Sequence, residues 1–244
     1  MNMMISLFDK PFEEQAYRLF KSFRHFHPNI PMYYGVVPPS DELNHGMLQS
    51  VGAQFLEKTG EITVKHKNVC DLCLKEYIQD LPWTKMMWVD ADTLILGNLN
   101  HLFETDDYDF IGHPGRNKGG LIWKRGDLTY FALGMYVTSS KRFIDELYDI
   151  AKQNPRILTE SETCTRMINK KFTFVQLNGN LYNFSRDIVP LAEYDVEKKQ
   201  IFYRLGQLIY YPYTVGFSGL DNGQKPFSPA IEKFYEEVIC GSAI

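Results

Sequence analysis

The sequence predicts an α/β domain with a mostly parallel central sheet flanked by helices. Segments typical of strands alternate with segments typical of helices along the first third of the chain, and this alternation is typical of βαβ units. The run Met86–Val89 is apolar at every position, as expected of a central strand that is covered on both faces. The chain has 244 residues, 44% of them hydrophobic, which is enough for one sizeable core.

The elements of the first half follow from their own patterns. Residues 3–8 predict a buried strand, and Pro11 then stands where a helix can begin, ahead of apolar residues at helical spacing. Residues 31–37 predict a second strand. The remaining expected elements are a helix over about 42–56, a strand over 61–66, a helix over 69–81 and a central parallel strand over 85–89.

The second half is less regular. A segment rich in glycine and charge, 113–131, predicts a long loop or a hairpin. The other expected elements are a strand over 132–139, helices over 140–153 and 160–172, a strand over 172–177 and a closing helix from about Pro229. The sequence contains no internal repeat or linker, so we expect one domain over 1–244 with an irregular C-terminal half.

Composition and charge exclude several classes of protein. The net charge is −4 and the basic residues are scattered, which argues against nucleic acid as a partner. No apolar run approaches the roughly 18 residues that a membrane helix needs, so we expect no transmembrane segment. The sequence begins as a strand and not as an export signal, and its four cysteines are compatible with a reducing compartment. A cytoplasmic location is therefore expected.

Two aspartates, Asp90 and Asp92, follow the apolar run directly. Ligands of open parallel sheets bind at the carboxyl ends of the strands, which is where these residues are expected. In an extended segment alternate side chains face the same side, so Asp90 and Asp92 can converge while Ala91 points away. Paired carboxylates suit Mg²⁺ or Mn²⁺. The alternative is that both aspartates only stabilise a turn.

The segment KMMWVDADTLILGNLNHLFE, residues 85–104, resembles the D-x-D segment of glycogenin and of bacterial lipopolysaccharide galactosyltransferases. These are nucleotide-sugar glycosyltransferases of the GT-A fold. The resemblance implies a GT-A-like, Rossmann-like sheet with a nucleotide-sugar-binding half over 1–104 and an acceptor-binding half over 105–244. It also implies that Asp90, Ala91 and Asp92 contact the donor and that the two aspartates bind Mn²⁺ or Mg²⁺.

Weaker similarities extend the resemblance along the chain. The segment before the D-x-D strand resembles a family helix that carries a basic residue, for which Lys75 is the candidate. The late segment GQKPF resembles the family's G-x-x-KPW, which implies that Lys225 contacts the diphosphate. The nucleotide base, uracil by resemblance, is expected near the end of the first strand, at Leu7, Phe8 and Asp9.

The sequence also departs from the family pattern. Ala132 and Leu133 stand where the family usually has Asn-Ser before a glycine, and no histidine follows His113 to serve as the family's third metal ligand. Asp221 is the one carboxylate near that position: either Asp221, a backbone group or water replaces the histidine, or the metal is bound weakly. The family's Asp-Gln segment aligns loosely with Glu160 and Glu162, which are the candidate catalytic, acceptor-side carboxylates; an exposed helix start explains them equally well.

The expected function is a metal-dependent transfer of a sugar from a nucleotide-diphosphate donor, a UDP-sugar by resemblance, to a glycan, lipid-linked or protein acceptor. The resemblance also implies retention of anomeric configuration. One alternative is a catalytically weak homologue that binds nucleotide-sugar. Another is a phosphatase of the haloacid-dehalogenase type, although Thr93 follows Asp92 directly and departs from the D-x-D-x-T pattern of that class.

Overall fold

The computed structural model describes residues 1–37, 42–60, 72–114, 124–125, 128–153, 160–182, 189–216 and 228–241. The strands of this part are β1 (Asn2–Phe8), β2 (Met32–Val36), β3 (Ala53–Phe55), β4 (Lys85–Val89), β5 (Thr93–Ile95), β6 (Phe110–Pro114), β7 (Lys124–Arg125), β8 (Leu128–Thr129), β9 (Phe131–Thr138), β10 (Phe174–Gln176), β11 (Glu193–Asp195), β12 (Gln200–Leu205), β13 (Leu208–Tyr210) and β14 (Thr214–Gly216). Its α-helices are α1 (Glu13–Phe26), α2 (His45–Ser50), α3 (Lys75–Ile78), α4 (Asn100–Glu104), α5 (Lys141–Gln153), α6 (Glu160–Lys171) and α7 (Pro229–Phe234).

A seven-stranded sheet with the order β10-β6-β9-β4-β1-β2-β3 forms the centre of the molecule. Every neighbouring pair is parallel except the two pairs that involve β9, which runs antiparallel to β4 and to β6. The predicted α/β fold class is confirmed. Strand β4 is central as predicted, parallel to β1 on one side and antiparallel to β9 on the other.

Both faces of the central sheet are covered, as the apolar runs predicted. On one face Met4, Phe8 and Met87 pack with the buried stripe of α1, which includes Leu19 and Phe20. The residues that alternate with these along the same strands form the second core with α5 and α6, and they include Met3, Ile5, Leu7, Met86, Trp88 and, from α5, Phe143. The alternation shows that each strand supplies both cores.

A third, smaller core lies beside the central sheet and was not predicted. It joins Leu94 of β5 to Ile201 and Tyr203 of β12 and to Ile231 and Phe234 of α7. The three strands β11, β12 and β13 form an antiparallel sheet, and β14 pairs with β5. The described part of the C-terminal half therefore contains regular strands where the sequence predicted an irregular segment. Its strands are mostly three residues long, too short for a clear pattern.

Several other elements differ from their predicted bounds. The helix expected over 42–56 is the shorter α2, because Gly52, with a φ of +81°, follows its C-terminus and the chain continues as β3. Strands β5 and β6 and helix α4 were not predicted. The strand expected over 61–66 lies outside the described residues. The helix expected over 69–81 is described from residue 72 onward, and this part contains α3.

Two further predicted elements are confirmed. The segment 113–131 contains the hairpin β7–β8, and the closing helix begins at Pro229, where the Ser228 side chain accepts a hydrogen bond from the backbone N–H of Ile231. It continues as a π-helical turn over Tyr235–Cys240. Among the described residues, no helix has both the length and the apolar character that crossing a bilayer requires.

Candidate functional site

The two aspartates lie in a tight turn at the carboxyl end of β4. The backbone N–H of Thr93 donates to the carbonyl of Asp90 at 3.1 Å, and the N–H of Asp90 donates to the carbonyl of Gly134 at 2.8 Å. Ala91 and Asp92 are therefore the central residues of a turn, and the expectation of an extended segment is wrong. Ala91 is nevertheless buried in the core, so its side chain lies away from solvent as predicted.

The carboxyl of Asp92 lies in an environment that disfavours its charge. Burial raises the pKa of Asp92 to about 6, and a hydrogen bond from its own backbone N–H opposes this rise. At neutral pH the carboxylate is thus charged at a cost. A cation next to it would offset that cost, since an opposite charge within about 4–6 Å favours the ionised form.

The pairing of β9 with β6 contains a large irregularity near this turn. Gly112 of β6 pairs with Tyr136, but the next residue, His113, pairs with Ala132. The three residues 133–135 are thus skipped in the β6 pairing, and one of them, Gly134, holds the Asp90 backbone. Bulges of this kind often re-aim a strand beside a functional site. Sequence reasoning did not find this contact, because a backbone carbonyl leaves no trace in residue type.

The position of Ala132 follows from the same irregularity. Along β9, Ala132 and Gly134 are partly exposed, whereas Phe131, Leu133 and Met135 are buried. Small residues thus face outward beside the aspartate turn, where the family pattern has a polar residue. His113, which pairs with Ala132, is buried.

The C-terminal part of the chain reaches the aspartate turn through β14. This strand pairs with β5 in the register Thr214–Ile95, Val215–Leu94 and Gly216–Thr93. Gly216 is therefore the partner of the residue that follows Asp92. The candidates Asp221 and Lys225 lie outside the described residues.

Helix α6 is anchored at the same edge of the sheet. The backbone N–H of Phe131 donates to the Thr165 hydroxyl at 3.0 Å, and the Asn169 amide donates to the carbonyl of Thr129 at 3.0 Å. Phe131 pairs with Pro114 at the carboxyl end of β6, and β6 runs in the same direction as β4. These two contacts hold the middle and the C-terminal turn of α6 at this edge. The side chains of Glu160 and Glu162 are not among those the structure describes.

Lys75 has a partner elsewhere. Its ammonium group forms an ion pair with Asp145 of α5 at 2.7 Å and lies 5.3 Å from the centre of the Tyr148 ring. Both contacts are with α5 and not with the aspartate turn. Contact with a diphosphate would therefore require this ion pair to open.

The three residues expected near the nucleotide base end strand β1. Leu7 and Phe8 are 3% exposed, and their side chains belong to the two cores. Asp9 is 8% exposed, and its carbonyl accepts a hydrogen bond from the backbone N–H of Phe12 at 3.0 Å. Asp9 thus begins the loop at the same edge as Asp90. Because the side chains of Leu7 and Phe8 are buried, only their backbone atoms could contact a nucleotide base.

In the described part of the chain, no group of three or more His, Cys, Asp and Glu residues could hold a metal ion. The side chains of Asp90 and Asp92 offer hard carboxylate oxygens, and the described residues add no third carboxylate, histidine or cysteine to them. The pair suits Mg²⁺ or Mn²⁺ in chemical type, and such ions usually keep several water ligands.

Comparison with known proteins gives similarity in structure only. No protein-family model matches the sequence, and no curated protein is significantly similar to it. The galactosyltransferase LgtC, solved with donor and acceptor sugar analogues, is similar with a TM-score of 0.62 and 15% identity over 100% of this chain and 97% of LgtC. The glycosyltransferase GlyE of Streptococcus pneumoniae TIGR4 is similar with a TM-score of 0.62 and 14% identity over 96% of this chain.

This chain spans 59% of the GlyE chain. A glycosyltransferase involved in glycosylation of the major capsid of PBCV-1 has a TM-score of 0.52 and 8% identity, over 91% of this chain and 96% of that one. At such identities the likeness shows the fold. It confirms the GT-A-like fold class that the sequence resemblance implied.

Proposed function

We propose that this chain is a glycosyltransferase that moves a sugar from a nucleotide-diphosphate donor, a UDP-sugar, to a glycan, lipid-linked or protein acceptor with retention of configuration. One observation carries the proposal. The turn from Asp90 to Thr93 stands at the carboxyl end of the central strand β4, in a fold shared with sugar transferases.

Asp90 and Asp92 would hold Mn²⁺ or Mg²⁺ on the diphosphate. The donor set fits such an ion because both ligands are carboxylates and because burial of Asp92, which raises its pKa to about 6, favours a cation beside it. When bound, the ion would neutralise the diphosphate and so stabilise it as a leaving group. The carbonyl of Gly134 fixes the backbone of Asp90 and would keep the pair in place without substrate.

The segment after β14 would supply the third carboxylate and a cation. Asp221 is five residues beyond Gly216, which pairs with Thr93, and five extended residues span at most about 18 Å. This reach supports Asp221 as a ligand in place of the family histidine. Lys225, four residues further, would contact the diphosphate.

The other candidates would serve the two substrates. The anchoring of α6 through Thr165 and Asn169 supports Glu160 and Glu162 as the carboxylates that face the acceptor. The base would lie against the end of β1 near Asp9. Lys75 would join the diphosphate site only after it leaves Asp145.

An assay of nucleoside diphosphate release tests this function. The full chain is incubated with a panel of UDP-sugars and Mn²⁺, with and without oligosaccharide acceptors, beside Asp92→Asn and the control Asp80→Asn, whose side chain is exposed. We expect Mn²⁺-dependent release that Asp92→Asn abolishes and Asp80→Asn retains. Release that survives Asp92→Asn would contradict the assigned site.

A binding protein without turnover is the second candidate. Two features of the sequence favour it: no histidine follows His113, and Ala132 stands where the family has a polar residue. Mn²⁺-dependent nucleotide binding without release from any sugar in the panel would select this alternative. Absence of nucleotide binding would overturn both.

A further inference from the structure

Large aliphatic side chains are exposed at the turn between β12 and β13. The two strands are joined by Gly206 and Gln207 alone, with Gly206 at a φ of +61°. The flanking residues Leu205, Leu208 and Ile209 are 37%, 61% and 44% exposed. Burying such side chains is favourable, so their exposure at one turn requires an explanation.

Leu191 extends this group. It is 47% exposed and lies two residues before β11. Because Glu193 pairs with Phe202 in the antiparallel β11–β12 ladder, the chain enters β11 from the end that carries the Gly206 turn. We call the four residues Leu191, Leu205, Leu208 and Ile209 the tip patch.

The shape of the tip patch is that of a wedge. Successive residues of a strand point to opposite faces, so the neighbours Leu208 and Ile209 make both faces of the hairpin apolar at its end. A stable protein interface usually buries about 800 Å² on each partner over a continuous face. A narrow end with two apolar faces instead suits a medium that is apolar all around it.

The charge of the hairpin points to the same medium. From residue 200 to 211 the one charged side chain at neutral pH is Arg204, which is 59% exposed and 3.8 Å from Glu193. The exposed Arg204 guanidinium is complementary to phosphate groups above a hydrocarbon layer, which would replace the exposed Glu193 carboxylate as its partner. Tyr210 and Tyr211 follow on the side away from the tip, at the level where tyrosine favours the membrane–water interface.

We propose that the tip patch inserts into the surface of a lipid bilayer, with Arg204 at the level of the lipid phosphates. This binding needs no nucleotide or metal, so it stands or falls separately from the transferase proposal. Where the two are combined, and resting on the proposed function, a lipid-linked acceptor is the substrate class that such a surface would present.

Vesicle sedimentation of the full chain tests the proposal. Vesicles of phosphatidylcholine, with and without phosphatidylglycerol, are mixed with wild type, with the double variant Leu208→Gln/Ile209→Gln and with Val196→Gln. Val196 is a matched control because it is 53% exposed at the opposite end of the same small sheet. We expect wild type and the control to sediment with vesicles. The double variant should bind the vesicles at least about tenfold more weakly than wild type.

Arg204→Gln refines the test. It should weaken binding to vesicles that contain phosphatidylglycerol, by about fivefold, more than binding to phosphatidylcholine alone. An unchanged thermal midpoint and unchanged nucleotide binding would show that each variant is folded. The proposal would be overturned if wild type does not sediment with vesicles or if the double variant binds vesicles like wild type. It would also be overturned if the double variant changes only the oligomeric state seen in gel filtration and not vesicle binding.

Discussion

Asp92 lies in a turn whose burial raises the pKa of its carboxyl from 3.8 to about 6, and the sequence already singled the residue out. Its place after an apolar run was sufficient to predict the edge of the sheet on which it lies. The backbone conformation of Asp92 was not predictable, because Asp occurs readily both in turns and at strand ends. The ion pair between Lys75 and Asp145 was also beyond prediction, since nothing local links residues 70 apart.

The raised pKa predicts how stability depends on pH when metal is absent. Between about pH 4 and 6 the folded state retains a proton on Asp92 that the unfolded state has released, so stability should fall as pH rises through this range. The shift of about two units corresponds to an upper limit of about 3 kcal/mol by pH 7. Asp92→Asn should remove this dependence and raise the free energy of unfolding at pH 7 by about 1–3 kcal/mol.

Urea unfolding in the presence of a chelator, at several pH values, measures this effect. Asp80→Asn is the control and should leave the pH dependence of wild type unchanged. A lower midpoint for Asp92→Asn at pH 7 would show that the carboxylate stabilises the metal-free fold, and that burial of its charge is not a net cost.

Asp221 is tested separately at the residue scale. If it replaces the family histidine, Asp221→Ala should weaken Mn²⁺ affinity about tenfold, or about 1.4 kcal/mol. Glu197→Ala removes an exposed carboxylate from the same half of the chain and should have no effect. Mn²⁺ titration in the presence of UDP compares them, and equal affinity of wild type and Asp221→Ala would remove Asp221 from the site.

At the scale of elements, the buried strands and the long amphipathic helices were predictable and the orientation of β9 was not. Phe131–Thr138 has the same burial pattern whether it runs parallel or antiparallel to β4, because apolar periodicity carries no direction. The irregularity between Gly112 and His113 was equally hidden. These two features bring Gly134 to Asp90, so the position of the candidate aspartates at this edge was predictable and the backbone contact that supports them was not.

Helix α3 depends on a buried carboxylate that can be tested. Glu76 is 2% exposed, forms an ion pair with Lys58 at 3.1 Å and accepts a hydrogen bond from the Tyr148 hydroxyl at 3.0 Å. Glu76→Gln removes the negative charge that faces the largely buried Lys58 ammonium. We expect a loss of about 3 kcal/mol in the free energy of unfolding.

The control for Glu76→Gln is the exposed ion pair between Lys171 and Glu146, at 2.6 Å. Glu146→Gln should cost less than about 1 kcal/mol, since solvent screens exposed pairs. Urea unfolding measures both variants. An equal loss in the free energy of unfolding for the two substitutions would show that burial of Glu76 does not increase the cost of removing its charge.

At the scale of the whole molecule, the candidate site lies where the central sheet meets the third core. The sheet takes β1–β4 from the first 104 residues and β6, β9 and β10 from the rest, while β5 and β14 connect it to the small sheet. Short strands that are far apart in sequence form this junction. Its existence therefore could not be predicted from local patterns, although the C-terminal candidates pointed toward it.

The most direct test of the central claim is the thermal midpoint measured with a panel of nucleoside diphosphates, with and without Mn²⁺, for wild type and Asp92→Asn. A ligand at about 100 times its Kd adds about 2.7 kcal/mol to stability, which raises the midpoint by several degrees in a chain of this size. We predict that one nucleoside diphosphate raises the midpoint of wild type only with Mn²⁺ and leaves Asp92→Asn unchanged. No shift with any nucleotide, or an equal shift in Asp92→Asn, would contradict a metal-dependent donor site at Asp90 and Asp92.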